Sequence, residues 1–293
     1  MAFLDRLKLF ITGGKLDVRA RFELLREAIS GTMSKFYMAR DRQSGQIVGL
    51  KILDPKKTAA FEERFKGLNK PTEGQIAVLF EHPYIVHTYE HGLTTEGAQY
   101  LVMEYLEGPG MNSLLVAKDP RLDGRRVKYI RQVAEALDVV HKVGYIHRDV
   151  CPRNLLLTGD SETCKLTDFG LSLPATGPFM QPGNRTGTPN YMAPELVRRF
   201  TTDQRLDIFA FGVTAFEICT FELPWARGTT GMAAMSHDQP PTDIREYRPQ
   251  INERLAKAIT ACIQPDRKKR CPTIEKFLLM IRRIEHEDQQ SLT

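Results

Sequence analysis

The run His147-Arg148-Asp149-Val150-Cys151-Pro152-Arg153-Asn154 places a carboxylate and, five residues on, a carboxamide in one short stretch. A second carboxylate opens Asp168-Phe169-Gly170, and Ala193-Pro194-Glu195 follows further along the chain. Carboxylate and amide oxygens are hard donors of the kind that Mg²⁺ takes. Phosphoryl transfer asks little covalent chemistry of a protein; it needs a group that orients the attacking hydroxyl, oxygen ligands for Mg²⁺, and cations against the phosphates. The chain supplies each of these types, with Lys51 and Arg153 among its cations. Asp-Phe-Gly alone would carry little weight, and an Asp in a turn is ordinarily a cap. What matters is that three such runs arrive in register.

In this order the motifs resemble those of the protein kinases, in the form of the eukaryotic-like (Hanks-type) serine/threonine kinases of bacteria. The resemblance implies the remaining roles. Asp149 would be the general base for the substrate hydroxyl, and Asn154 and Asp168 would be the Mg²⁺ ligands. Lys51, closing Val48-Gly49-Leu50-Lys51, matches the strand lysine that grips the α- and β-phosphates of ATP. Its ion-pair partner would be Glu73, counted back from His82-Pro83-Tyr84-Ile85-Val86, with Glu63 and Glu81 as competitors and a plain helix-start acid as the bland reading. Adenine would hydrogen-bond the backbone of Glu104 and Leu106, beside Met103. Glu195 would pair with a late arginine, Arg270, and Asp207 would brace the backbone around Asp149 unless it is a surface carboxylate. Gly187-Thr188-Pro189-Asn190-Tyr191-Met192 resembles the substrate-binding segment of serine/threonine kinases, with Thr188 bonding toward Asp149.

Two features depart from the family. Aligning Phe36 with the valine of the phosphate-covering loop leaves Ile29, Gly31 and Ser34 at its glycine positions, so only Gly31 lets bare backbone approach phosphate. Ser30, Thr32, Ser34 and Lys35 could donate to phosphate instead, although such residues are ordinary in a hairpin tip. The second departure is Cys151, where serine/threonine kinases carry a lysine for the γ-phosphate. Arg153, at a position used by one common tyrosine-kinase pattern, could deliver the missing cation in a fork suited to phosphate oxygens. Its bland reading is a solvated arginine. Arg148 precedes the base as in kinases regulated by loop phosphorylation, for which Thr176 and Thr186 are candidates, while Asn184 stands where many relatives have the acceptor.

The elements that must position these residues follow from apolar spacing. Short apolar runs from 22 to about 53, parted by turn residues, read as β-hairpins, and 85–89 and 99–104 return to strand character. After a charged stretch, 54–70, Pro71-Thr72-Glu73 looks like a helix start, with Ile76, Leu79 and Phe80 as its buried face. Beyond Gly108-Pro109-Gly110 the period changes to that of helices, at 123–142, 204–221, 251–263 and 273–284. The expected fold class is α+β, a two-lobed protein kinase fold: an amphipathic extension at 1–21, an antiparallel β N-lobe with one main helix at 22–103, a hinge at 104–107 where a ligand cleft would form, and a mainly α-helical C-lobe at 108–293.

Composition excludes several alternatives. At 293 residues with 42% hydrophobic content the chain can bury an ample core and is not disordered as a whole. The net charge of +5 is spread along the chain, which disfavours nucleic acid as a partner. Five cysteines without a CxxC pair argue against disulfides and zinc and fit a reducing cytoplasm. No run reaches the roughly 20 apolar residues of a transmembrane segment. Phe3, Leu4, Leu7, Phe10 and Ile11 share a helical face, so residues 1–14 could touch an anionic membrane peripherally, although such a face ordinarily covers a core. The function expected is transfer of the ATP γ-phosphoryl group, with Mg²⁺, to Ser or Thr of protein substrates, itself included. The alternative is a pseudokinase acting as an ATP-binding or scaffold module, on the strength of the glycine-poor loop and Cys151. A small-molecule kinase of related fold is disfavoured by the 187–195 segment.

Overall fold

Alternating apolar residues in the first third pair into one antiparallel sheet. Its strands are β1 (Phe22–Ser30), β2 (Ser34–Asp41), β3 (Ile47–Leu53), β4 (Thr88–Leu93) and β5 (Gln99–Glu104), in the order β1-β2-β3-β5-β4. The structure is a computed structural model that describes residues 15–30, 33–183, 185–226 and 236–289, with the backbone alone at 27–30. The expected amphipathic segment at 1–14, Gly31, Thr32 and Asn184 lie outside the described residues.

The chain divides into two compact units, one of residues 1–82 and 86–106, the other of residues 83–85 and 107–293. In the first, the period of two in β3 sends Val48 and Leu50 into a cluster with Phe22, Ala39, Tyr100 and Val102, and leaves Lys51 on the opposite face. Residues 15–21 are tied to this sheet as well. Leu16 donates to Leu93 O at 2.8 Å, and Arg21 pairs with Asp41 at 3.0 Å and Glu90 at 2.8 Å.

The helix that starts at Glu73 is short, Glu73–Ala77, and a longer one, Pro55–Glu62, lies in the charged stretch where no helix was expected. Apolar periodicity could not reveal it, because only Thr58 and Phe61 are buried; the signal was Asp54 capping the N–H groups of Lys56 and Lys57, with Pro55 in the first turn. Thr72 and Gln75 form a capping box that fixes the start of the second helix. Ile76 and Phe80 are buried as expected, but Leu79 is 49% exposed, since the helix ends before the 3.6-residue period reaches it. The strand expected at 85–89 instead begins at Thr88, and Ile85 bridges Leu166 in the other unit's chain segment, to which it belongs.

The second unit is helical. Met111–Val116, Arg126–Lys142, Arg205–Thr220, Glu253–Cys262 and Ile274–Ile281 form there, each of the longer expected helices losing one to three residues at its ends. Every residue from Leu206 to Thr220 is buried, so Arg205–Thr220 is the axis on which this unit packs. Two small antiparallel pairs frame the loops of interest: β6 (Tyr145–Ile146) with β9 (Leu173–Pro174), and β7 (Leu155–Leu157) with β8 (Cys164–Leu166). Residues 147–154 connect β6 to β7, and 167–172 connect β8 to β9. The five cysteines are free and buried. The segment near 287 is strapped down by Glu287, which accepts from Arg126 at 2.9 Å and from the Gly124 N–H at 2.8 Å.

Gly74 lets the Glu73–Ala77 helix lie directly on β4, because a Cβ there would collide with the Cβ and ring of His91. Gly74→Ala is therefore expected to lower unfolding free energy by about 1–3 kcal/mol through overpacking, read as a fall in the urea or thermal midpoint.

Candidate active site

In the first unit, Lys51 Nζ lies 2.5 Å from Glu73 Oε1, and both residues are buried. A lysine on β3 and an acid at the first position of a capped helix are thus brought together from 22 residues apart. The competing acids are placed otherwise: Glu63 pairs with Lys66 at 3.0 Å on the surface, and Glu81 is exposed. On the same face of β3, Gly49 leaves room for its neighbours; a Cβ there would stand 2.6 Å from Phe36 Cζ and 3.1 Å from Met103 Cγ. Glu104 ends β5, with its N–H on His87 O at 2.9 Å and its carboxylate accepting from the His87 N–H at 2.7 Å. Leu106 follows two residues past the strand.

In the second unit, Arg148 (φ 72°) and Asp168 (φ 66°) adopt left-handed backbone conformations that cost non-glycine residues energy and persist only where the surroundings over-determine them. At Arg148 the determining group is Asp207. Asp207, fully buried on the Arg205–Thr220 helix, accepts from the N–H groups of His147 and Arg148, both at 2.7 Å, and contacts His141 Nε2 at 2.9 Å. Burial pushes its carboxyl up, yet the His141 hydrogen bond, the charges of His141 and His147 and the Arg148 N–H together hold it below the ordinary carboxylate value.

Asp149 has each carboxylate oxygen fixed. Oδ1 accepts from Thr188 N at 2.9 Å and Thr188 Oγ1 at 2.7 Å, and Oδ2 accepts from Asn154 Nδ2 at 2.9 Å. Asn154 Nδ2 also donates to the Asp149 carbonyl at 2.8 Å, which spends its amide nitrogen and leaves its amide oxygen as the atom suited to a cation. Asn154 O accepts from Thr167 N at 3.0 Å, so Asp168 begins one residue from a strut to the Asp149 loop. Phe169 is buried with its ring edge-on to His147 at 5.0 Å. Cys151 is buried and its thiol is pushed up to about 12, chiefly by desolvation, so it offers no charge. Arg153 is exposed and donates from Nη2 to Thr188 Oγ1 at 3.3 Å, the same hydroxyl that holds Asp149.

Glu195 and Arg270 form a bidentate buried pair at 2.7 and 2.9 Å. Two further anchors of the 187–195 segment escaped sequence reasoning: Tyr191 OH donates to Glu217 Oε2 at 2.5 Å, and His237 Nδ1 lies 2.7 Å from Met192 O. Their partners are 26 and 45 residues away, and no local motif marks either pair.

Residues 22–280 match the protein kinase domain family, and the chain belongs to that family. It is 32% identical over 250 residues to the serine/threonine-protein kinase PknD of Mycobacterium tuberculosis, covering 81% of this chain and 36% of that protein. It is 35% identical over 210 residues to an Aurora kinase of Saccharomyces cerevisiae, covering 70% of this chain and 54% of the relative. Similarity to the serine/threonine-protein kinase pkn3 of Myxococcus xanthus is 27% over 274 residues, 88% of this chain and 48% of the relative. The chain thus spans about a third to a half of the length of these curated relatives.

Two measurements test this architecture. Arg270→Ala would leave Glu195 as an unpaired buried charge, and a loss of about 3–5 kcal/mol in unfolding free energy is expected by chemical denaturation. Because the Asp207 carboxyl is held low in the folded state, its contribution to stability is complete above its ordinary value of 3.8 and is lost as pH falls through the lower folded-state value. Urea midpoints measured across that acid range should fall steeply in the wild type and less steeply in Asp207→Asn.

Proposed function

We propose that this chain is an ATP-dependent protein kinase that transfers the γ-phosphoryl group to Ser or Thr hydroxyls of proteins, itself included, in the cytoplasm. The observation that carries the reading is the state of Asp149: a carboxylate with both oxygens fixed by Thr188 and Asn154, on a backbone tied to buried Asp207. Such a group accepts a hydroxyl proton, or orients it, without first reorganising. Asp168 and the amide oxygen of Asn154 are two hard oxygen donors. Among the described residues no group of three or more His, Cys, Asp or Glu could hold a metal ion. The oxygens of Asp168 and Asn154 are of the kind that suits Mg²⁺, which proteins hold through one or two side-chain oxygens together with substrate phosphate. When bound, Mg²⁺ would neutralise charge on the transferring phosphate.

Lys51, oriented by Glu73, is the cation for the nucleotide's α- and β-phosphates, and Arg153 takes the part of the lysine that Cys151 replaces. Support for the second assignment is the Arg153–Thr188 bond, which brings a guanidinium to the hydroxyl that also holds Asp149. Glu104, Leu106 and Gly31 are proposed to contact the nucleotide through their backbone. Among the described residues no helix is long and apolar enough to cross a membrane. Residues 1–14 remain the segment proposed for any membrane-surface contact.

The test is Mg²⁺-dependent ³²P transfer from ATP to the protein itself and to a generic basic protein. Transfer should vanish in Asp149→Asn and Asp168→Asn, with phosphoserine or phosphothreonine as the product, and Arg153→Ala should lower turnover by roughly a hundredfold. Near-normal turnover in Arg153→Ala would remove that residue from the mechanism. Absence of transfer in the wild type, with thermal stabilisation by ATP retained, would make the chain a nucleotide-binding module instead.

A further inference from the structure

Beside Asp149 lies a small recess that reaches in to buried Asp207 and whose lining includes Asp149 itself, Thr188, Tyr191, Met192, Ala193 and Leu196. Thr188 of this wall holds the Asp149 carboxylate, so on the kinase reading the position of the 188–193 backbone bears on where an acceptor hydroxyl can lie. That backbone is held at several points: Thr188 on Asp149, Tyr191 OH on Glu217, and Glu195 on Arg270. Two of these holds end on carboxylates and the third, from Glu195, on a guanidinium. The hold on Met192 is of another kind.

Met192 presents only its carbonyl oxygen to His237 Nδ1, at 2.7 Å. A carbonyl can only accept, so Nδ1 carries the proton and the neutral ring has its lone pair on Nε2. The ring is 2% exposed and sits 4.7 Å from Trp225 and 5.6 Å from Phe209, while burial holds its pKa below the ordinary histidine value. Its surroundings fix its direction. Trp225 Nε1 donates to Gln239 O at 3.1 Å, Phe209 stacks on Trp225 at 5.6 Å, Arg270 lies 4.9 Å above Phe209, and the neighbouring Asp238 pairs with Arg198. A locked, neutral donor is thus aimed at a backbone oxygen of the recess wall. Filling the same space needs only an apolar side chain, whereas holding that oxygen needs an N–H.

We infer that His237 is a positioning residue for the protein acceptor: through the Met192 carbonyl it sets the wall along which the acceptor chain lies beside Asp149. The inference rests on the kinase reading for its functional consequence and on geometry alone for its structural one. Two variants separate the effects. His237→Leu removes the donor and keeps the bulk. His237→Asn restores an amide N–H near the place of Nδ1.

The experiment measures KM for the best acceptor from a Ser/Thr peptide library, KM for ATP, kcat, and amide hydrogen exchange at Thr188, Tyr191 and Met192. His237→Leu is expected to raise peptide KM by about three- to tenfold with ATP KM unchanged, and to speed exchange at those three amides; His237→Asn is expected to return both toward wild type. Unchanged peptide KM and exchange in His237→Leu would overturn the inference. So would a uniform rise in exchange across the domain that His237→Asn does not repair, since that describes a core residue. If the wild type transfers nothing to any peptide, the proposed function fails, and the exchange data still decide whether His237 holds the segment.

Discussion

A carboxylate buried at 0% exposure is the constraint on which the second unit depends. Asp207 sits on a helix whose sides are all occupied, and an ion in that place must be fully hydrogen-bonded or it would not remain charged. Its partners are the two N–H groups of a backbone forced left-handed at Arg148, together with His141. The strain at Arg148 and the charge at Asp207 are therefore solutions to each other. The loop satisfies the ion, and the ion makes an unfavourable turn the stable one. What emerges on the far side of that turn is Asp149, already tied through Thr188 and Asn154, so a fully buried helix fixes the backbone that carries this side chain.

The first unit reaches a comparable end by a different route. Its Lys51–Glu73 pair is buried, and a buried pair is poor evidence of stability, because desolvation offsets most of the attraction. It is better explained as a device that holds a cation at a fixed place on the sheet. The local costs around it support this. Glu73 occupies the first turn of a five-residue helix, too short to stand alone, which is kept in place by the Thr72–Gln75 capping box and by a glycine pressed against His91. Side-chain volume is absent at Gly74, next to Glu73, and at Gly49, two residues from Lys51, where the His91 side chain and those of Phe36 and Met103 press in.

What could be read from the sequence was what short motifs and periodicity encode. The strands around Val48 and Tyr100 and the long helices at 126–142 and 205–220 follow from apolar spacing, and Asp207, Thr188 and Arg270 lay in recognisable runs. The Pro55–Glu62 helix escaped because its stability comes from a capped, solvated N-terminus rather than an apolar face. Leu79 was misjudged because the period continues in the sequence after the helix has stopped. Tyr191–Glu217 and Met192–His237 were invisible for a plainer reason: a hydrogen bond between residues far apart leaves no trace at either position, and Tyr, Glu and His are each ordinary where they stand.

Cys151 stands where the resemblance to serine/threonine kinases calls for a lysine. A thiol at 1% exposure and raised to about 12 behaves as a small apolar group, so the residue has left the site's electrostatics and joined its packing. In the proposed reaction, charge that Cys151 does not supply to the phosphate must come from nearby or the transition state goes uncompensated. Two residues on, Arg153 reaches Thr188 Oγ1 from the solvent side, and Cys151 Sγ approaches the same oxygen at 3.7 Å from within. One hydroxyl thus touches the lost position, its proposed replacement and the base. In the proposed reaction the cation has moved outward by two residues while keeping the same point of attachment, and a guanidinium, always charged and more weakly hydrated than an ammonium, is the side chain that can act from that exposed position.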